Sequence, residues 1–350
     1  MRYTLFGRTG LRVSEFAFGA MTFGTDWNWG AAEDEAARMF DLYAEAGGNF
    51  IDTADVYTDG SSERILGRLL KGRRDDFVVA TKFTCAPAGG GPNSGGSHRT
   101  SLAASVEGSL RRLETDHIDV LYVHARDLFT PFEETMRALD DQVRAGTVHY
   151  VAVSNWPAWE IARANTLAEL RGWSPFAGVQ LRLNLLDRAA ERELLPFAEA
   201  TDTAVVAWGP LAEGRLTGKY LRGEGGRRDT FRFGTDLARD DETVRAVVEL
   251  ARERGWSPAQ VAIAWLTTRP GNVIPLLGAR SAGQLRDNLA AGDIELDSDA
   301  LRRLDAVSAI EPGYPDGFLG DPTVHQSIYG GYGPGPIDDR RRIAMRPFTA

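Results

Sequence analysis

Eight short apolar runs recur along the chain, each followed by a stretch with helical periodicity, and this alternation restricts the fold more than any other feature. The runs are Glu15–Gly19, Asn49–Asp52, Phe77–Lys82, Ile118–His124, Val148–Val153, Gly178–Leu181, Ala204–Trp208 and Val273–Leu277. The helical patterns are Ala32–Ala46, Ser62–Lys71, Thr100–Leu113, Phe132–Ala145, Ala158–Leu170, Ala189–Ala200, Pro258–Thr268 and Ala282–Ala290. Strands that are apolar throughout are buried on both faces, as in a parallel sheet covered by its own crossover helices. Eight such units favour closure into a (β/α)8 TIM barrel over an open doubly wound sheet. Two further helical patterns, Glu242–Arg254 and Ser298–Val307, interrupt the alternation. Arg2–Phe6 and Leu11–Ser14, joined by Arg8-Thr9-Gly10, predict a β-hairpin that plugs the barrel floor. Ala86–Ser97, Leu221–Leu237 and Glu311–Ala350 carry no periodicity and read as loops, the last as a lid or a disordered tail. The 350 residues, 43% of them hydrophobic, are enough for one barrel domain spanning the chain.

Composition removes several function classes. The net charge of −9, with no dense basic run in the body of the chain, argues against a nucleic-acid surface. Arg340-Arg341-Arg342 follows Asp338-Asp339 and reads as a mixed solvated segment. No run approaches the ~20 apolar residues that span a bilayer, so no membrane association is expected. Met1–Arg8 lacks the apolar core of a secretory signal. Cys85 is the only cysteine, which excludes an intramolecular disulfide and fits a reducing cytoplasm. Only Lys71, Lys82 and Lys219 are lysines. Each therefore invites a question, because lysine can release a proton and arginine cannot.

Active groups of such barrels sit at the C-terminal ends of the strands. Asp52 ends the second run and Tyr57 follows on its loop; Lys82 ends the third and His124 the fourth. A carboxylate, a phenol, an amine and an imidazole from three neighbouring strands would converge on one mouth. Together they suit carbonyl reduction, which needs a proton donor beside a hydride source. A phenol with an ordinary pKa of about 10 donates poorly near neutrality, and a nearby ammonium would lower it. The carboxylate would hold the ammonium, and the imidazole would orient the substrate oxygen. Taken singly, Lys82 could be a rim salt bridge, His124 a satisfied core histidine and Asp52 a helix cap.

Several segments carry a resemblance. Phe50-Ile51-Asp52-Thr53-Ala54-Asp55-Val56-Tyr57 resembles the aldo-keto reductase signature around its catalytic aspartate and tyrosine. Ala80-Thr81-Lys82 and Asp119-Val120-Leu121-Tyr122-Val123-His124 resemble its lysine and histidine strands, and Tyr150–Trp156 its Gly-Val-Ser-Asn-Phe segment. The likeness runs from about Tyr3 to Val307. It implies catalytic roles for Asp52, Tyr57, Lys82 and His124, and NADPH as cofactor. It implies that Ser154, Asn155 and Gln180 hold the nicotinamide carboxamide and that Trp208 stacks on the ring. Gly19, the last residue of the first run, and Met21 just beyond it join this set. Trp208-Gly209-Pro210-Leu211, with Gly214 and Lys219, resembles the pyrophosphate-side loop. Gly278-Ala279-Arg280-Ser281, with Gln284, Asp287 and Asn288, resembles the adenosine-side segment, where Arg280 would favour a 2′-phosphate and so NADPH over NADH.

The chain departs from the family pattern at Leu183, where many members carry tyrosine, and at Gly209, where serine is common. No G-x-G-x-x-G occurs, which leaves a Rossmann site unsupported. The loops offer Trp27, Trp29, Arg126, Phe129 and Trp156 as walls of a small-molecule carbonyl pocket, with Phe231 or Phe233 beside them. Tyr314, Phe318, Tyr329 and Tyr332 of the tail could close it. The histidines His98, His117, His124, His149 and His325 are scattered, and no metal site is expected. The family also contains potassium-channel β-subunits that mainly bind a partner. The intact tetrad favours an enzyme, and the same residues would serve a dehydrogenase working in the oxidative direction.

Overall fold

The computed structural model describes residues 1–223 and 237–330. An antiparallel hairpin, β1 (Tyr3–Leu5) and β2 (Arg12–Ser14), precedes eight barrel strands. These are β3 (Ala17–Gly19), β4 (Phe50–Asp52), β5 (Val78–Phe83), β6 (Ile118–Val123), β7 (Val148–Ser154), β8 (Gly178–Arg182), β9 (Ala204–Trp208) and β10 (Val273–Gly278). They pair in parallel in sequence order, and β10 closes on β3. The outer layer holds α1 (Glu33–Glu45), α2 (Ser61–Leu70), α3 (Arg99–Leu113), α4 (Phe132–Ala145), α5 (Ala158–Arg171), α6 (Leu194–Thr201), α8 (Pro258–Thr267) and α9 (Ala282–Leu289). The additional helices are α7 (Leu237–Arg254) and α10 (Ser298–Val307). The expected (β/α)8 TIM barrel with its hairpin is therefore the architecture.

Local chemistry fixes the ends of these elements. Ser257 and Gln260 form a reciprocal capping box at α8, with Pro258 in the first turn. Gly146 ends α4 in the left-handed region at φ 77°. The predicted helix Ala189–Ala200 is broken into a short turn at Ala189–Glu191 and α6. Pro196 explains the break, because proline fits only the first turn of a helix and so forces a restart just before it.

The hairpin does seal the floor. Phe6 is fully buried and packs edge-on to Phe50, with ring centroids 5.7 Å apart. Gly178 admits that ring: a Cβ there would come within 2.5 Å of Phe6 Cζ. Asn272, just before β10, donates to the Leu5 carbonyl, and Asn49, just before β4, accepts from the Ser14 amide at 2.7 Å. With the floor closed, the mouth at the C-terminal ends of the strands is left to hold chemistry.

The tail contains two short exposed helices, α11 (Asp316–Leu319) and α12 (Pro322–Tyr329), where no periodicity was legible. Phe231, Phe233, Tyr332 and Arg340–Arg342 lie outside the described residues. Among the described residues, no helix is long and apolar enough to cross a membrane.

Candidate active site

Asp52 is the last residue of β4, Lys82 the penultimate residue of β5, and His124 follows β6. Parallel pairing of these three strands brings their ends side by side. Lys82 Nζ donates to Asp52 Oδ2 at 2.6 Å, to the Thr53 carbonyl at 2.7 Å and to the Tyr57 hydroxyl at 3.1 Å. An ammonium has three protons, and all three are used. The other Asp52 oxygen accepts from Gln180 Nε2 at 2.8 Å. Both members of this ion pair are buried. Burying an unsatisfied pair costs several kcal/mol per ion. This one is sustained because nearly every donor and acceptor is met.

Tyr57 stands on the turn leaving β4, and the two residues after it, Thr58 and Asp59, take φ values of 46° and 52°. Left-handed backbone costs about 1–3 kcal/mol at such positions. The buried Thr58 holds it: its hydroxyl donates to the Phe23 carbonyl at 2.7 Å and accepts from the Ser62 amide at 3.0 Å. The turn therefore fixes where the Tyr57 hydroxyl sits against Lys82. Neither Thr58 nor the Thr53 carbonyl was visible as a site feature in the sequence. A backbone acceptor leaves no side-chain signature, and an isolated threonine carries no motif.

The expected fall in the Tyr57 pKa is not the net outcome. Burial raises it, Lys82 pulls it down by charge and hydrogen bond, and the balance lies above the ordinary value. Tyr57 is thus a protonated phenol across the neutral range. For Lys82, burial disfavours the charge, but Asp52 and Tyr57 outweigh it and the net shift is upward. His124 is pushed down to about 3 by burial and by the Lys82 charge. It is a neutral imidazole at neutrality, its ring edge-on to Tyr57 at 5.8 Å and its Nδ1 3.7 Å from Cys85 Sγ. A protonated phenol, a charged amine and a neutral imidazole therefore share one mouth.

A half-buried carboxyl, that of Asp55, follows Asp52 on the same loop. Burial, reinforced by the nearby Glu63 carboxylate, raises Asp55 to about 7, and its Oδ1 has no hydrogen-bond partner. In an unfolded chain an aspartate titrates near about 3.9. Between those values the folded state holds a proton that the unfolded state has lost, so stability falls as pH rises through that window. Asp55→Asn should therefore raise the melting temperature more at about pH 8 than at about pH 4, with a ceiling of roughly 4 kcal/mol. Equal gains in thermal melts at both pH values would contradict this reading.

The remaining predicted positions divide into those the mouth gathers and those it does not. Ser154 ends β7 and is buried; its hydroxyl accepts from Asn155 Nδ2 at 3.0 Å. Asn155 also donates to the His124 carbonyl at 2.9 Å and has φ 58°. Trp208 ends β9, with the Arg182 guanidinium 5.5 Å from its ring centroid. Gly209 and Gly214 take left-handed φ values of 69° and 85°, and Lys219 packs over Gly214. Trp27 lies 6.4 Å edge-on from Tyr57, and Trp29 packs on Trp27 at 5.5 Å.

Three residues have other tasks. Trp156 is 5% exposed and packs against Phe132 and Phe176, so it belongs to the core beside α5 rather than to the wall of the mouth. Arg126 is paired with the buried Glu160 of α5, Nε to Oε2 at 2.6 Å. Arg126 and Trp156 border a separate cleft of about 270 Å³ between the β6–α4 loop and α5. Asp287 spends both carboxylate oxygens on α8, accepting from Ser257 Oγ and Gln260 Nε2 at 2.8 Å each. The start of α9 also differs from expectation, because the Glu35 carboxylate already accepts from the Ala282 amide at 2.6 Å. Arg280 is exposed, and its guanidinium makes no hydrogen bond to the described residues. Its amide donates to Gln284 Oε1 at 3.0 Å, and Asn288 Nδ2 donates to the Gly278 carbonyl at 3.3 Å.

This barrel with its four-residue cluster agrees with what sequence comparison finds. A sequence model of the Aldo/keto reductase family matches residues 15–309. The chain belongs to the aldo/keto reductase family. It is 38% identical over 318 residues to an uncharacterized oxidoreductase of Bacillus subtilis, covering 88% of this chain and 96% of that one. It is 34% identical over 324 residues to a norsolorinic acid reductase of Aspergillus flavus, covering 89% of this chain and 81% of the other. An aryl-alcohol dehydrogenase of Pestalotiopsis microspora is 32% identical over 337 residues, covering 94% and 85%. This aldo/keto reductase is accordingly an oxidoreductase.

Proposed function

We propose that the protein reduces aldehydes or ketones to alcohols at the expense of NADPH, with Tyr57 as general acid. The observation that carries this reading is the fully saturated Lys82 ammonium, shared between Asp52, the Thr53 carbonyl and the Tyr57 hydroxyl. When bound, the nicotinamide supplies the hydride that no side chain can. Tyr57, a protonated phenol, releases its proton to the carbonyl oxygen. The phenolate left behind is stabilised by Lys82, which Asp52 keeps charged and in place. The neutral His124 hydrogen-bonds the same oxygen and fixes its direction.

The residues present suit such a cofactor. Gly278 faces open space, with nothing within 4 Å of a built Cβ. Arg280 beside it offers a forked cationic donor suited to a 2′-phosphate. Because Glu35 occupies the first amide of α9, selectivity for NADPH rests on Arg280 rather than on the helix terminus. Ser154, Asn155 and Gln180 would hold the carboxamide, and Trp208 would pack on the ring.

Arg280→Ala should raise KM for NADPH more than for NADH, by ~1.5–3 kcal/mol in binding, the range for hydrogen bonds to charged groups. Equal changes for both cofactors would remove Arg280 from the 2′-phosphate site.

For the substrate, the Trp27–Trp29 pair beside Tyr57 and the relatives named for aryl alcohols and norsolorinic acid support an aromatic carbonyl. The test is NADPH oxidation with a panel of aromatic and aliphatic aldehydes. Consumption of NADPH matched by aryl alcohol is expected. Failure of every carbonyl compound to stimulate oxidation would overturn the proposal.

A further inference from the structure

Thirty-two positions apart in the sequence, His117 and His149 come together at the floor of the barrel, opposite the mouth. His117 precedes β6, and His149 is the second residue of β7. Pairing of Ile118 with Val148 sets them side by side. Their imidazoles stack at 4.6 Å with a 21° interplanar angle. Asp119 completes the group: its Oδ1 lies 3.9 Å from His117 Nε2 and 3.7 Å from His149 Nδ1. The three donor atoms all fall within 4.8 Å of one another. They are too far apart to hydrogen-bond and close enough to share one ion. This juxtaposition corrects the expectation, drawn from linear spacing, that the histidines are scattered.

We propose that His117 Nε2, His149 Nδ1 and Asp119 Oδ1 form a binding site for a divalent transition metal, with zinc as the best match. Two imidazoles and a carboxylate with an open fourth position suit Zn²⁺. The surroundings prepare two of the three ligands. The Asp116 carboxylate lies 2.7 Å from His117 Nδ1, which selects the tautomer with its proton there and leaves the lone pair on Nε2. A carboxylate behind a metal-binding histidine is the usual orienting partner. Asp119 is anchored by its other oxygen, which accepts from Arg74 at 2.6 Å and from the Val79 amide at 2.9 Å. Oδ1 is thereby left for the ion.

Metal–ligand distances of about 2.0–2.1 Å in a tetrahedron place donors roughly 3.3 Å apart. The two His–Asp separations must contract by about half an ångström, and one imidazole must turn out of the stack so that both in-plane lone pairs meet at one ion. His149, whose side chain is 46% exposed, is the ring with solvent on one side into which to make that turn. Bound there, the ion would clip the starts of β6 and β7 together without touching the mouth.

The test uses the tag-free full chain, stripped with a chelator and titrated with zinc chloride in a calorimeter. One equivalent is expected to bind the parent. His149→Ala and His117→Gln should each weaken that event by about 10-fold or more, and Asp116→Asn by about 10–100-fold, as for other orienting carboxylates. Zinc should raise the melting temperature of the parent and not of a His117→Gln, His149→Ala double variant. That double variant should fold and oxidise NADPH normally, since His149 is exposed and His117 half-buried, both at the floor and away from Tyr57. A parent that binds no zinc would overturn the proposal. So would a double variant that keeps the parent's isotherm and thermal shift, which would assign the ion to another group such as Cys85 with His124.

Discussion

Lys82→Met should all but stop turnover, lowering the chemical step by ~10²–10³-fold or more, the usual worth of one preorganised donor at a developing charge. Methionine keeps the length of the side chain and removes the ammonium. The Tyr57 hydroxyl then loses its partner at 3.1 Å, and Asp52 loses its ion pair at 2.6 Å. Removing one partner of a buried pair also destabilises a protein by about 3–5 kcal/mol, so the melting temperature should drop. Adding Asp52→Asn to Lys82→Met should restore much of that stability, because no buried charge is left unpaired, yet it should restore no activity. Thermal melts and turnover measured on the same samples separate the two effects. A double variant that regains activity along with stability would mean that Lys82 matters only for folding.

Tyr57→Phe should lower the chemical step by ~10²–10⁴-fold, the contribution of a positioned general acid. The ring remains, so its edge contacts with Trp27 and His124 survive. Lys82 keeps two of its three acceptors, and folding and NADPH binding should be close to those of the parent. Combining Tyr57→Phe with Lys82→Met should cost far less than the product of the separate losses, because the hydroxyl and the ammonium act as one unit. Multiplicative losses would indicate independent roles.

The barrel was legible because its strands are buried on both faces and so print as uninterrupted apolar runs between helical patterns. Asp52, Lys82 and His124 were legible as polar residues ending such runs, where no packing argument wants them. The sign of the Tyr57 shift was not, because burial competes with the Lys82 charge and only the fold sets how much water reaches the ring. Trp156 shows the opposite failure: an aromatic residue after a strand looks like a pocket wall, and only packing against Phe132 and Phe176 reveals it as core. Arg126 and Asp287 misled for a related reason. A charged residue in the right loop carries no mark of whether Glu160, or Ser257 with Gln260, has already claimed it. The His117–Asp119–His149 group was illegible because adjacency across two strands depends on register, which linear spacing does not record.

The central claim is that Tyr57 delivers the proton to the substrate oxygen. The most direct measurement is single-turnover NADPH oxidation, with parent, Tyr57→Phe and His124→Ala proteins saturated with NADPH and rapidly mixed with 4-nitrobenzaldehyde. The account predicts a fast phase in the parent and its near-complete loss in Tyr57→Phe at unchanged NADPH affinity. His124→Ala should fall between them, since it removes orientation and not the proton. A Tyr57→Phe protein that oxidises NADPH at close to the parent rate, while His124→Ala does not, would contradict the claim and make His124 the acid.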